Sequence, residues 1–195
     1  LPHEALAQLR RIVRVDPGHT EALARGLDLA EQLNRDEIIR ELLDKALSRP
    51  QPPTLRAELL ARSGRQLAAT PDGATSATAN LRKSLELDSS RDEVRETLRR
   101  LLESQNDWPA ALDCRLAEAY RAEGARRVAH LEQGANIAWH KLSPEAALPW
   151  LERLRHEAPE CADVPARIAA AHADAGQPRA RLHAIEAQIE LTGDP

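Results

Sequence analysis

The chain has 195 residues, of which 42% are hydrophobic and 30% are charged, and its formal net charge is −4. Its 27 basic residues against 31 acidic ones argue against a nucleic-acid binder, which needs a basic excess. No apolar run approaches the roughly 20 residues of a membrane-spanning helix, and two Cys cannot form a disulfide framework. The hydrophobic residues are mostly Ala and Leu, with no Phe or Met, and this composition favours helices.

Amphipathic segments follow one another along the chain, with apolar residues three or four positions apart. In chain order these residues are Ala5, Leu9 and Ile12; Leu23, Leu27 and Ala30; Ile39, Leu43 and Ala46; Leu55, Leu59, Leu60 and Leu67; Val94, Leu98 and Leu101; Leu131, Ala135 and Ala138; Ala147, Leu151 and Leu154; and Val164, Ile168 and Ala171. Such spacing places each set on one face of a helix. No stretch alternates as a strand would, so no strand is predicted.

Short turn sequences separate these segments and divide them into pairs. Turns within helical hairpins are predicted at 34–36, 71–73, 105–107, 143–144 and 176–178, and turns between hairpins at 16–18, 88–90 and 159–160. Ser143 followed by Pro144 predicts a capped helix start. The sequence therefore predicts an all-α protein of about eleven helices, paired as antiparallel hairpins with a period in the thirties.

One pattern within these segments carries a family resemblance. Ala147, Leu151 and Leu154 are followed by Pro159, and residues 5–17 repeat the same spacing. The pattern resembles the second helix of a tetratricopeptide repeat, in a divergent bacterial form without the usual aromatic pair. The resemblance implies a right-handed superhelical solenoid, with about five and a half units over residues 1–195. We expect one solenoid segment, excised from a longer array.

The resemblance also implies a concave groove, lined mainly by the first helix of each hairpin, that binds a partner peptide or helix. Keeping the helical phase gives the candidate groove residues Glu21, Asp28, Gln32, Arg65, Arg95, Arg99, Glu132, Asn136, Trp139 and His172. In this pattern Arg65, Arg95 and Arg99 would hold an acidic peptide. The alternative is that these residues form ordinary solvated helix faces. Trp139 is either a peptide anchor or part of the core.

Motifs for chemistry are missing from the sequence. No two of the seven His stand three or four apart on a helix, and there is no nucleophile-elbow or phosphate-loop motif. Cys114, among small apolar residues, is interpreted as a buried structural thiol. We therefore expect no enzyme activity, no metal and no cofactor.

The leading functional hypothesis is a protein–protein interaction scaffold. Its expected partner is another protein, bound as a peptide or helix, with no nucleic-acid binding and no membrane insertion. The alternative is a structural spacer or regulatory arm of a larger protein whose binding or catalytic module lies elsewhere. The compartment stays open, with the cytoplasm favoured.

Overall fold

A computed structural model describes residues 1–161, 163–174, 176 and 178–192. These residues form eleven α-helices and no strand. The helices are α1 Pro2–Val15, α2 Thr20–Gln32, α3 Asp36–Leu47, α4 Pro53–Ala68, α5 Ala74–Leu87, α6 Asp92–Ser104, α7 Trp108–Arg121, α8 Gly124–Lys141, α9 Pro144–Glu157, α10 Asp163–Asp174 and α11 Pro178–Thr192. The predicted all-α fold of about eleven helices is confirmed. In the described part of the chain, no helix has the length and apolar character needed to cross a membrane.

The chain consists of two compact units, residues 1–101 and residues 102–195. In the first unit each helix from α1 to α4 packs on the next, and α1 also contacts α3. In the second unit each helix from α7 to α10 packs on the next. We call α2, α4, α6, α8 and α10 the first-type helices, and the others the second-type helices. That all 195 residues form one continuous solenoid stays a prediction.

Each unit has its own apolar core, built from the predicted faces of its helices. In the first unit Leu23 and Leu43 are fully buried between α2 and α3. In the second unit a core cluster joins α7 to α11, and it includes Leu131, Leu151 and Ile168. Because a single hairpin buries only one side of each helix, packing against the next hairpin completes the core.

The predicted apolar face of α1 is wrong by about one residue. Ile12 is 40% exposed and Ala5 is exposed, whereas Leu6 and Val13 are buried. The physical reason is that α1 packs on α2 and α3 through Leu6 and Val13. The stripe that contains Ala5, Leu9 and Ile12 lies beside this contact and is buried only at its edge, at Leu9.

Three of the turns within hairpins contain a residue in the left-handed conformation. Asn34 has a φ of 50°, Asn106 of 59° and Gly176 of 68°. After Asn106, the N–H of Asp107 donates to the carbonyl of Leu102 at 3.0 Å, which satisfies an end carbonyl of α6. Asparagine tolerates this conformation better than most residues, so the sequence marks these turns. The predicted turn at 176–178 includes residue 177, which lies outside the described residues.

The predicted start of α9 is confirmed, with Ser143 as its N-cap and Pro144 as its first residue. The Ala146 N–H donates to Ser143 Oγ at 3.1 Å. Pro149 lies inside the same helix. Its carbonyl accepts from Arg153 Nη1 at 2.7 Å.

Two glycines in the first-type helices, Gly64 and Gly134, lie directly against a large side chain of the other helix of the hairpin. A Cβ on Gly134 would lie 2.1 Å from Cε3 of Trp150 in α9, and a Cβ on Gly64 would lie 2.7 Å from Cγ of Leu81 in α5. Both separations are far below van der Waals contact. These glycines therefore allow the large partner side chain to lie directly against the helix backbone.

The turn at Asn106 gives a first prediction. We expect Asn106→Ala to lower the free energy of unfolding by about 1 kcal/mol, because alanine strains the left-handed backbone. Asn106→Gly is expected to be neutral or slightly stabilising, because glycine adopts this conformation freely. Urea unfolding followed by circular dichroism measures both variants. Equal stability of the alanine and glycine variants would contradict the proposed role of the turn.

The contact at Gly134 gives a second prediction. Gly134→Ala gains about 1 kcal/mol of helix propensity but overlaps the Trp150 ring, and overpacking of this kind costs typically 1–3 kcal/mol. We expect net destabilisation in urea unfolding. Gly26→Ala is the matched control, since its Cβ would lie 3.3 Å from Leu42 Cδ1 and 3.7 Å from Leu9 Cβ, without a severe overlap. In a Trp150→Leu background, Gly134→Ala should lower the free energy of unfolding by less than it does in the unsubstituted chain. An equal loss in both backgrounds would exclude the Trp150 ring as the cause.

Candidate protein-interaction surface

The first-type helices of the first unit are joined at their surface by ion pairs. Arg62 on α4 donates from Nη1 to Asp28 Oδ1 at 2.8 Å and to Glu31 Oε1 at 3.3 Å, both on α2. Its Nε donates to Glu58 at 2.9 Å, and Glu58 in turn accepts from Arg91 beside the start of α6. We call this row of alternating charges, Asp28, Glu31, Arg62, Glu58 and Arg91, the charge ladder.

The charge ladder shifts the pKa values of Glu58 and Arg62 towards their charged forms. Burial raises the pKa of Glu58, but hydrogen bonds from Arg62 and Arg91 outweigh it and hold the pKa below its usual value. Burial lowers the pKa of Arg62, and the hydrogen bonds to Glu58 and Asp28 more than reverse this. At the end of the ladder, hydrogen bonds from Ser90 lower the pKa of Asp88, which also bonds Arg91. The paired charges therefore persist at neutral pH.

The second-type helices of the first unit carry a similar link. Arg10 and Arg14 on α1 both bind the Glu41 carboxylate on α3, with Arg14 Nε at 2.8 Å from Oε1. Lys45 lies 3.7 Å from the same carboxylate. The hydrogen bond from Arg14 is the largest of the effects that lower the pKa of Glu41 to about 2.

The predicted groove residues of the first unit are placed in different environments. Glu21 is exposed and pairs with Arg25 at 3.0 Å within α2. Asp28, 54% exposed, belongs to the charge ladder. Gln32 and Arg65 are exposed on α2 and α4, and Arg99 is half-buried on α6.

Arg95 is placed differently from the predicted groove position. It is only 7% exposed, and its guanidinium donates to Asp92 Oδ1 at 2.8 Å and to the Ser89 carbonyl at 2.6 Å. These bonds fix the loop that precedes α6. A guanidinium bound in this way is not displayed to a partner, so we leave Arg95 out of the surface proposed below.

The predicted residues of the second unit include one coherent group. Glu132 and Asn136 are exposed on α8 at a spacing of four, and Trp139 follows three residues later, half-buried against the core cluster. Arg167 on α10 donates from Nη2 to Asn136 Oδ1 at 2.7 Å. We call Glu132, Asn136, Trp139 and Arg167 the α8 face. His172 is half-buried further along α10.

The other two Trp have structural positions. Trp150 is 6% exposed and lies over Gly134. Lys141 Nζ lies 5.1 Å from the centre of the Trp108 ring, within the range of a cation–π contact. Trp139 is therefore the Trp that is partly exposed and lies on the same helix as the predicted groove residues Glu132 and Asn136.

Sequence reasoning did not identify Arg62, Arg91 or Arg167, which organise these surfaces. The signal was the separation of each Arg from its partner: 34 residues for Arg62 and Asp28, 33 for Arg91 and Glu58, and 31 for Arg167 and Asn136. These separations are close to one repeat. A search for polar pairs at the repeat period would have found them.

The described residues give no support for metal or thiol chemistry. Residues 1–161, 163–174, 176 and 178–192 contain no group of three His, Cys, Asp or Glu placed to hold a metal ion. Cys114 and Cys161 form no disulfide and are half-buried. Desolvation, followed by the charge of Glu160, raises the pKa of Cys161, which disfavours the nucleophilic thiolate.

Comparison with known proteins bears on the fold. No family model and no curated protein matches the chain. The solved structure of the C-terminal part of a TPR repeat-containing protein from Cytophaga hutchinsonii is similar with a TM-score of 0.56 and 11% identity, covering 98% of this chain and 74% of that one. This likeness supports a tetratricopeptide-like helical-repeat fold.

Two further solved structures are similar at lower scores. BtubC (BKLC) from P. vanneervenii has a TM-score of 0.47 and 13% identity, covering 98% of this chain and 88% of that one. MamA has a TM-score of 0.45 and 13% identity, covering 96% and 86%.

The Glu41 link gives a prediction on pH. A carboxylate whose pKa is about 2 when folded and 4.5 when unfolded stabilises the protein above pH 4.5, and this stability is lost as the pH falls towards 2. We expect Glu41→Gln to lower the free energy of unfolding by roughly 2 kcal/mol at pH 7, after allowance for solvent screening. The difference from the unsubstituted chain should vanish near pH 2.

Denaturant unfolding at pH 7, 5, 4 and 3 measures this difference. Glu86→Gln, at an exposed position on α5, is the control and is expected to show little effect at any pH. If Glu41→Gln lowers the free energy of unfolding by the same amount at pH 5 and pH 3, the lowered pKa of Glu41 would be contradicted.

Proposed function

We propose that this chain is a protein-interaction scaffold whose α8 face binds a peptide or helix of a partner protein. The observation that carries the proposal is the polar bridge between Asn136 on α8 and Arg167 on α10, at 2.7 Å, beside the half-buried Trp139. The bridge joins two successive first-type helices into one surface. Such a surface has polar groups for orientation and an aromatic ring for affinity.

The chemistry of the α8 face suits a peptide backbone or a polar side chain. Asn136 uses its carbonyl oxygen for Arg167, and within the described residues its amide N–H groups have no acceptor. They can donate to a peptide carbonyl. Glu132, one turn earlier, supplies a carboxylate for a basic side chain or an N–H group. Trp139 offers an apolar edge that a partner can cover at little entropic cost.

This surface suits a protein ligand better than other partners. The net charge of −4 disfavours nucleic acid, which binds through basic patches. A protein partner can satisfy a mixed set of an acid, an amide, a guanidinium and an indole. The scaffold proposal therefore follows from the fold together with this set of side chains.

A structural spacer is the second candidate, and the charge ladder of the first unit favours it. There Asp28, Glu58, Arg62 and Arg91 are bonded to one another. A partner would have to replace these bonds, so this face is better suited to joining repeats than to binding. In the spacer model, the α8 face has no specific ligand.

Site-specific photocrosslinking in native cell extract tests the scaffold proposal. We expect a photoreactive amino acid at Glu132 or Asn136 to capture a discrete partner, at saturable yield, in competition with the unlabelled chain. The matched control carries it at Asp113, exposed on second-type helix α7. Asn136→Arg with Glu132→Arg should abolish the crosslinks without changing thermal unfolding. Equal capture from position 113, or no saturable capture from either α8 position, would overturn the proposal and favour the spacer.

A further inference from the structure

A small apolar pocket lies in the second unit where α7, α8 and α9 meet. Its floor is Leu116, Ala119 and Leu131, of which Ala119 and Leu131 are buried. Its volume is about 120 Å³, and apolar cavities of about 150 Å³ accept a benzene-sized group. The pocket thus has room for one side chain such as leucine.

The pocket wall is Tyr120, which is 63% exposed although it is aromatic. Arg153 on α9 donates from Nε to the Tyr120 hydroxyl oxygen at 3.3 Å and from Nη1 to the Pro149 carbonyl at 2.7 Å. These bonds hold the guanidinium at the pocket rim. In the described part of the chain, the Tyr120 hydroxyl proton and Arg153 Nη2 have no acceptor.

The charges around the pocket are not balanced. Arg127 is neutralised, since its Nη1 lies 2.8 Å from Glu157 Oε1 and its Nε donates to the Ala122 carbonyl. Arg153 has no carboxylate partner among the described residues, so the rim keeps one positive charge beside the exposed His156. The Arg153 Nη2 and the Tyr120 hydroxyl are two donors suited to one carboxylate.

We propose that this pocket docks an internal peptide segment in which a leucine or similar apolar side chain stands next to an aspartate or glutamate. The apolar side chain fills the pocket and packs between Leu116 and Leu131. The acidic side chain accepts from Arg153 Nη2 and from the Tyr120 hydroxyl. None of the residues of the α8 face lines this pocket, so the inference does not rest on the function proposed for that face.

Titration of the ¹⁵N-labelled chain with defined peptides tests the proposal by NMR, which detects weak binding. The probe is the acetylated and amidated peptide Gly-Ser-Leu-Glu-Gly-Ser. We expect saturable shift changes at Tyr120, Leu131 and the Arg153 Nε–H. Peptides with Leu→Ser or Glu→Gln should bind about tenfold more weakly, as expected for loss of the apolar contact or of a charge-assisted hydrogen bond.

Two variants and one control locate the binding. Arg153→Gln and Tyr120→Ala change side chains at the surface of the pocket. Each should weaken binding of the probe peptide about tenfold. Arg155→Gln, two residues along α9 and paired with Glu152 at 2.6 Å, is the control and should leave binding unchanged. Thermal unfolding verifies that all three variants are folded.

Three outcomes would overturn the proposal. The first is absence of saturable shifts, and the second is equal weakening by Arg155→Gln and Arg153→Gln. The third is tighter binding of a free-acid peptide that ends in Leu, because it would assign the rim to a C-terminal carboxylate rather than an acidic side chain. Loss of crosslinking from the α8 face would leave these results unaffected.

Discussion

The close approach of two helices within a hairpin is the contact on which the rest of each unit depends. Gly134 lies beneath the Trp150 ring, and Gly64 lies against Leu81, at separations that would not admit even a methyl group. Alanine and leucine fill most of the remaining core, and the chain has no Phe or Met. A hairpin has only two helices, however, and cannot bury all of its own apolar surface. Stacking on the next hairpin is therefore required for stability.

Arginine links join successive hairpins at the surface, above this core. The partners of Arg62 and Arg91 in the preceding hairpin lie 31 to 34 residues earlier in the chain. A planar guanidinium can bond several carboxylates at once, which an ammonium group does less well, and only three of the 27 basic residues are Lys. Ion pairs at the surface contribute at most about 1 kcal/mol each. They order the surface and cancel its charges, while burial of apolar side chains supplies most of the stability.

The helices could be predicted from the sequence because periodicity and turn residues are local properties. Asn106 marks its own turn, and Ser143 marks the start of α9. Side-chain partners depend on which helices meet, and on a phase that must be correct to one residue. The face of α1 was wrong for this reason, and Arg95 was predicted to face a groove although its guanidinium bonds the loop before α6. The Tyr120 pocket was not predicted, since its residues come from three helices.

A surface can bind a partner only if its polar groups gain more from the partner than they lose on leaving water. In the charge ladder Arg62 already bonds three carboxylates, so a ligand would have to break these bonds before making its own. In the second unit, Asn136 and Arg153 each keep donors that no described acceptor uses. Each of them also lies beside an aromatic side chain, Trp139 or Tyr120, that supplies apolar area. This difference in satisfied hydrogen bonds is why we propose partner binding for the second unit and a connecting role for the ladder of the first.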